Sequence, residues 1–138
     1  MIAIPSWVAQ YIGLPYAELG RSRDGVDCWG LVKLVLSEQL GLQTMDCVTE
    51  YSDVGDRIVV PPLIRRMQEK EWVRVEEPQE FDTLIFNIRG QPMHVGLVVN
   101  ADSFLHSPEG KMLSALERYT DRIWARRIEG FYRHVARV

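Results

Sequence analysis

Hydrophobic residues recur at helical spacing in the first half of the chain and mostly at every second position in the rest. Pro5 to Ile12 read as a short helix. Pro5 suits a first turn, Trp7, Val8, Tyr11 and Ile12 share a face, and Gly13 and Pro15 end it. Tyr16 to Val26 reads as a loop. Leu31, Val32, Val35, Leu36 and Leu40 predict a helix from Cys28 to Leu40, with Asp27 as N-cap and Gly41 as stop. Residues 42–55 look irregular. A second amphipathic helix is expected over Asp56 to Lys70, interrupted or started by Pro61-Pro62. Strands are then expected at Trp72–Val75, Thr83–Ile88, Met93–Val99, Ser103–Ser107, Met112–Leu116, Arg122–Arg127 and Phe131–Val135. In the second of these, Leu84, Phe86 and Ile88 should share a face. In the third, Met93, Val95, Leu97 and Val99 line one face, and His94, Gly96 and Val98 the other. Helices followed by strands imply an α+β fold, with N-terminal helices packed on an antiparallel sheet and one domain over residues 1–138.

Composition narrows the function classes. Of 138 residues, 46% are hydrophobic and 25% charged, which suits one sizeable core. A net charge of −3 gives no global field for nucleic acid or an anionic membrane, so neither is expected as a partner. Arg118, Arg122, Arg126, Arg127, Arg133 and Arg137 cluster late in the chain. They read as a solvated strand face or a contact surface for an acidic partner or an anionic polymer. No apolar run reaches membrane-spanning length. Met1-Ile2-Ala3-Ile4-Pro5 lacks a basic region before an apolar one, so no signal peptide is expected. Cys28 and Cys47 are too few for a disulfide framework.

Cys28 is the first candidate for chemistry. A helix N-terminus lowers a thiol pKa, and its free N–H groups can hold an oxyanion. Gly30 would let the helix lie close to the sheet. His94 and His106 lie 12 residues apart in successive strands, with Asn100 midway. A hairpin centred on Asn100 would set the two histidines directly opposite on one face. His94 would then take the thiol proton, and His106 would orient His94. The apolar face of the His94 strand should face a core, leaving the His94 face for the Cys28 helix, with Gly96 making room. His134 reads as structural, and Cys47 receives no role. Cys28, His94 and His106 are zinc-type ligands by chemistry, but they lack the close pairs of structural zinc sites. No metal or cofactor is expected.

Asp27-Cys28-Trp29-Gly30-Leu31-Val32, Met93-His94-Val95-Gly96-Leu97-Val98 and Phe104-Leu105-His106-Ser107-Pro108 resemble, in order, the three active-site motifs of the NlpC family of cell-wall cysteine peptidases. Gly13-Leu14-Pro15-Tyr16 and Phe81-Asp82-Thr83-Leu84-Ile85-Phe86 resemble two supporting motifs, the second with Thr83 inserted after Asp82. The resemblance covers roughly residues 5–116 and implies a papain-like fold. It implies that Cys28 attacks the amide, His94 is the base and His106 orients it. It also implies that Tyr16 helps hold the oxyanion and Asp27 recognises the stem-peptide amine. The implied substrate is the peptidoglycan stem peptide, cut between D-glutamate and the following diamino acid.

Trp29 departs from the serine usual after the cysteine. Trp29 reads either as a shaper of substrate preference at the site mouth or as a packing residue. The run Asp-Cys-Trp-Gly-Leu resembles the branch found in phage tails and gene transfer agents. That implies an enzyme made in the bacterial cytoplasm and carried at a virion tail tip, beside tail hub and tip proteins, to act in the periplasm and wall. Two alternatives remain at this point. One is a structural tail protein retaining the fold, motivated by the terminal arginines and an exposed Phe131-Tyr132 pair. The other is an acyltransferase or amidase acting on a non-wall substrate.

Overall fold

The computed structural model describes every residue except Met1, Glu109 and Lys111. The expected short helix is a 3-10 helix over Ser6–Tyr11, with Pro5 as its cap. The Gly-rich loop contains a small hairpin, β1 (Arg21–Ser22) with β2 (Gly25–Val26). Helix α1 then spans Cys28–Leu40 as expected. Extended Asp27 caps it by accepting from Gly30 N at 2.8 Å, and Gly41 ends it in the left-handed region at φ 64°. Such a cap contributes about 1 kcal/mol.

Helix α2 spans Val60–Lys70. It begins four residues later than expected because Asp56 Oδ1 accepts from Ile58 N and Val59 N, holding that segment in a side-chain turn. The prolines occupy the first turn, where no N–H partner is needed.

Six strands follow: β3 (Trp72–Val75), β4 (Thr83–Ile88), β5 (Gln91–Val98), β6 (Ser103–His106), β7 (Ala115–Arg118) and β8 (Ile128–His134). They form one antiparallel sheet in the order β3-β8-β4-β5-β6-β7. The expected strand at Met112–Leu116 is displaced to Ala115–Arg118. Ser114 is tied instead to the N-terminal segment, its hydroxyl donating to Tyr11 O and accepting from Leu14 N. The expected strand at Arg122–Arg127 is a short helix, α3 (Arg122–Ala125). This segment links two strands that are not neighbours, and Trp124 anchors it on Phe86 and Phe104. Tertiary packing overrides the local strand preference here.

The sheet buries both faces. On one, α1 and α2 pack against Ile85, Met93, Val95, Leu97, Val99 and Leu105. Leu31, Val32, Val35 and Leu36 are fully buried there, each contributing roughly 1.5–3 kcal/mol. On the other, Leu84, Phe86, Val98 and Phe104 pack under Tyr119 and Trp124. Ile88 does not share the Leu84–Phe86 face. The pairing with β5 shifts between Phe86 and Asn87, and Ile88 packs with the helices.

The late arginines are more than a solvated face. Arg133 and Arg137 both hold the fully buried Asp82 carboxylate, at 2.8 Å and 3.1 Å. Tyr132 is buried and Phe131 half-buried, so the expected exposed aromatic pair does not exist. His134 is buried against Trp72 and accepts from Ala136 N.

Candidate active site

The polarity of β5 alternates, and the site is built on that alternation. Val95 and Leu97 point to α1, while His94 and Val98 point to the far face. The helix carrying Cys28 therefore packs on the apolar face and not on the His94 face, the reverse of the expected arrangement. Cys28 reaches the same strand from the other side. The amide N–H groups of Val95 and Trp29 are turned toward its sulfur.

His94 and His106 do meet, but diagonally. Pairing of Leu97 with Leu105 and Val98 with Phe104 centres the hairpin on Ala101. Asn100 serves the turn instead, its Oδ1 accepting from Asp102 N and Ser103 N. That register sets His106 opposite Gly96 and moves His94 one pair further along. Diagonal same-face neighbours remain within reach of ring side chains. His94 Nε2 and His106 Nδ1 lie 2.8 Å apart. Gly96 does make room, though for a ring and not for the Cys28 helix: a Cβ there would press on Phe104 at 2.8 Å. Gly30 likewise makes room for something else. A Cβ on it would overlap the Gly20 carbonyl of the preceding loop, not the sheet.

Burial keeps both central groups neutral. Burial, then the Asp27 charge, pushes the Cys28 thiol up to about 12, against the pull of the two amides. Burial, then the neighbouring His106, pushes His94 down to about 3. Burial also lowers His106, opposed by Glu117. Among the described residues no hydrogen bond joins Cys28 to His94, and His94 Nδ1 has no partner. A neutral thiol and a neutral imidazole thus approach β5 from opposite sides. Moving the thiol proton to His94 would create both charges together, and their mutual attraction would offset part of the burial penalty of each.

The remaining expected residues have definite places. Tyr16 bridges Val26 just before α1, lies close enough to Cys28 to be sensitive to a thiolate there, and donates its hydroxyl to Glu18 at 3.0 Å. Burial, then Glu18, raises the Tyr16 pKa, so the group is a donor. Asp27 is fully buried. Its Oδ1 accepts from Gly30 N and Arg21 Nη1, and its Oδ2 from Leu19 N and the Tyr51 hydroxyl. With four internal partners, the carboxylate has no edge turned to solvent for a substrate amine. Trp29 is buried, donates to Met45 O at 2.8 Å and packs edge-on against Trp72. It is a packing residue that also lines a cavity.

Two cavities flank the strand. One, of about 50 Å³, is apolar and lined by Cys28, Trp29, Trp72, Met93 and Val95 among others. The second is a groove of about 430 Å³ bordered by His94, His106, Trp124, Arg57, Arg89 and Met93. Met93 borders both.

A cysteine at a capped helix start thus abuts a strand that carries a hydrogen-bonded histidine pair. The NlpC/P60 family model matches residues 13–133. The chain belongs to the NlpC/P60 family. It is 30% identical over 100 residues to a probable endopeptidase of Haemophilus influenzae, covering 71% of this chain and 53% of that protein. The chain thus spans about half the length of this curated relative. Among solved structures, it resembles an NlpC/P60 family protein of Bacillus cereus, with TM-score 0.67, 20% identity and coverage of 97% of this chain and 42% of that one. It also resembles the NlpC/p60 domain of the peptidoglycan hydrolase SagA, with TM-score 0.59, 19% identity and coverage of 91% and 92%. The α+β fold is the papain-like fold of these NlpC/P60 domains.

The sequence reading missed four residues of this NlpC/P60 site. Arg21 and Tyr51 hold Asp27. Glu117 accepts from His106 Nε2, and Trp124 Nε1 donates to Glu117 Oε1 at 3.0 Å. A signal for Glu117 was available. Pro108 and Gly110 mark a turn after His106, and the observed register pairs His106 with Ala115 and Phe104 with Glu117. Glu117 is then the diagonal same-face neighbour of His106, repeating the His94–His106 step. Trp124 had no such signal, because its contact depends on how the chain crosses the sheet.

Proposed function

We propose that this chain is a peptidoglycan endopeptidase that cuts stem-peptide amide bonds through Cys28. The observation that carries the reading is the His94–His106 hydrogen bond on the strand that Cys28 abuts. Cys28 passes its proton to His94 Nδ1, and the sulfur attacks the amide carbon. The resulting oxyanion lies near the N-terminal amides of α1 and the Tyr16 hydroxyl. His94 then gives the proton to the departing amine, leaving an acyl-thioester. Water, deprotonated by His94, releases the carboxylate and restores the thiol.

The groove supports the proposed substrate class. Arg57 and Arg89 border it on the His94 side. Guanidinium groups suit carboxylates, which supports an acidic stem peptide cut between D-glutamate and a diamino acid. Delivery at a phage-like tail tip, beside hub proteins, is part of the same proposal. It is supported by the Asp27-Cys28-Trp29-Gly30-Leu31 run, and co-purification with tail proteins tests it.

Mass spectrometry of purified muropeptides incubated with the protein tests the activity. New fragments with wild type and none with Cys28→Ala are expected, and their masses give the bond. Equal cleavage by both proteins would remove Cys28 from the reaction, and no cleavage by wild type would remove the wall substrate. One observation favours a second reading, an acyltransferase or amidase on a non-wall substrate: the apolar cavity has Cys28 in its wall. Labelling of Cys28 by an acyl ester without any muropeptide cleavage would select that reading.

A further inference from the structure

Glu117 and Trp124 have no role in the reaction as described above, yet they complete a continuous chain of hydrogen bonds. Trp124 Nε1 meets Glu117 Oε1 at 3.0 Å, Glu117 Oε2 meets His106 Nε2, and His106 Nδ1 meets His94 Nε2 at 2.8 Å. The chain steps diagonally over β7, β6 and β5. Trp124 also lies flat against the His94 ring and edge-on to the His106 ring, at 6.1 Å and 5.1 Å between centroids.

The direction of every bond follows from one end. An indole N–H only donates, and a carboxylate only accepts. With both oxygens of Glu117 accepting, His106 must carry its proton on Nε2. Its Nδ1 is then an acceptor, so His94 must carry its proton on Nε2. That leaves a lone pair on His94 Nδ1, the nitrogen with no hydrogen-bond partner among the described residues. We propose that Glu117 and Trp124 are positioning residues that fix the proton on His94 Nε2 and so keep Nδ1 free to act as the base. This rests on the reading of His94 as the base for Cys28, but the position of the proton can be measured without any substrate.

The donor-only indole makes the proposal sharp. In Glu117→Gln, one carboxylate oxygen becomes an NH₂ donor. If the amide oxygen faces His106, the NH₂ meets the Trp124 N–H, and two donors collide. If the oxygen faces Trp124, the NH₂ donates to His106 Nε2. His106 then protonates on Nδ1 and donates to His94 Nε2, and His94 is left with its proton on Nδ1. Only the second arrangement satisfies every group, and it inverts the base. In Glu117→Gln with Trp124→Phe the collision is gone, so the amide oxygen can turn back to His106.

Long-range proton–nitrogen NMR of the histidine rings at neutral pH tests this on the folded full chain. In wild type both rings should carry the proton on Nε2. Glu117→Gln should move both protons to Nδ1 and lower kcat for muropeptide cleavage by about 10²-fold, the lower end of what a general base supplies. Glu117→Asp, which keeps two acceptors, should keep the wild-type proton positions. The double variant should recover Nε2 protonation and part of kcat. Unchanged proton positions in Glu117→Gln would overturn the proposal, even with activity lost, because a merely structural Glu117 would give that result. If wild type cleaves no muropeptide yet the protons move as stated, the relay stands and the wall substrate falls.

Discussion

The two faces of the sheet are both covered but hold different chemistry. The helix face is hydrocarbon: Ile85, Val95, Leu97 and Leu105 meet Leu31, Val35 and Leu36. The far face interleaves Phe86, Val98 and Phe104 with His94, His106 and the half-buried Trp124. Neighbouring residues of one strand, His94 and Val95, thus serve opposite ends, and the period of two separates them. Holding the fold together is mainly the work of one face. Setting proton positions is the work of the other. Cys28 belongs to the first face by packing and to the second by its proposed chemistry.

The largest effects should therefore separate cleanly by face. His94→Gln should cut muropeptide cleavage by about 10²–10⁴-fold and leave the unfolding midpoint in urea nearly unchanged. Leu97→Ala, three positions away and fully buried, should do the opposite. It should lose about 2–5 kcal/mol of stability and keep kcat per folded molecule. A large kcat loss in Leu97→Ala would mean the two faces are coupled.

Thiol reactivity tests the neutral state of the pair. With Cys28 pushed up to about 12, thiolate is scarce at neutral pH. Alkylation by iodoacetamide in the absence of substrate should run about 10³-fold slower than for an exposed thiol, and rise roughly tenfold per pH unit. Fast alkylation with no pH dependence would mean that the proton already rests on His94 before substrate arrives.

Acid should act through the histidine face. His94 is held at about 3, below its ordinary 6.5. Between those values the unfolded chain binds a proton that the folded chain refuses, so stability falls as pH drops from about 6.5 toward 3. Above 6.5 neither state binds it and nothing is lost. Urea unfolding at pH 4 and pH 7 should show a smaller acid loss in His94→Gln than in wild type. An equal loss in both would assign the acid sensitivity elsewhere.

Much of this contrast is legible in the sequence, and the limits are physical. Alternation along 93–98 gives the two faces of β5, because side-chain period is local. The cap at Asp27 and the stop at Gly41 give α1 to the residue, because capping is local too. The parity of 94 and 106 gives a shared face, but their register depends on which residue the Asn100 side chain caps, and that moved the pair from opposite to diagonal. Which face α1 covers depends on packing that no periodicity encodes, so the helix was expected on the wrong side. Tyr51 and Trp124 reach the site from distant segments, and Arg21 folds back onto it from the hairpin just before α1, all through contacts with no sequence signature.

The smallest expected effect lies at the boundary between the two regions. Met93 is buried and borders both the apolar cavity beside Cys28 and the groove beside His94. It is the side chain through which a path between thiol and groove would open. Met93→Ala should lose about 2 kcal/mol, the low end for a buried methionine, because the groove side can admit water. It should also raise alkylation of Cys28 severalfold at constant pH, by widening access without changing either charge. Met93→Leu fills the same volume and should leave the rate near wild type. If Met93→Ala leaves alkylation unchanged, reagents reach the sulfur from the Trp29 side, and the two faces communicate only through the backbone of β5.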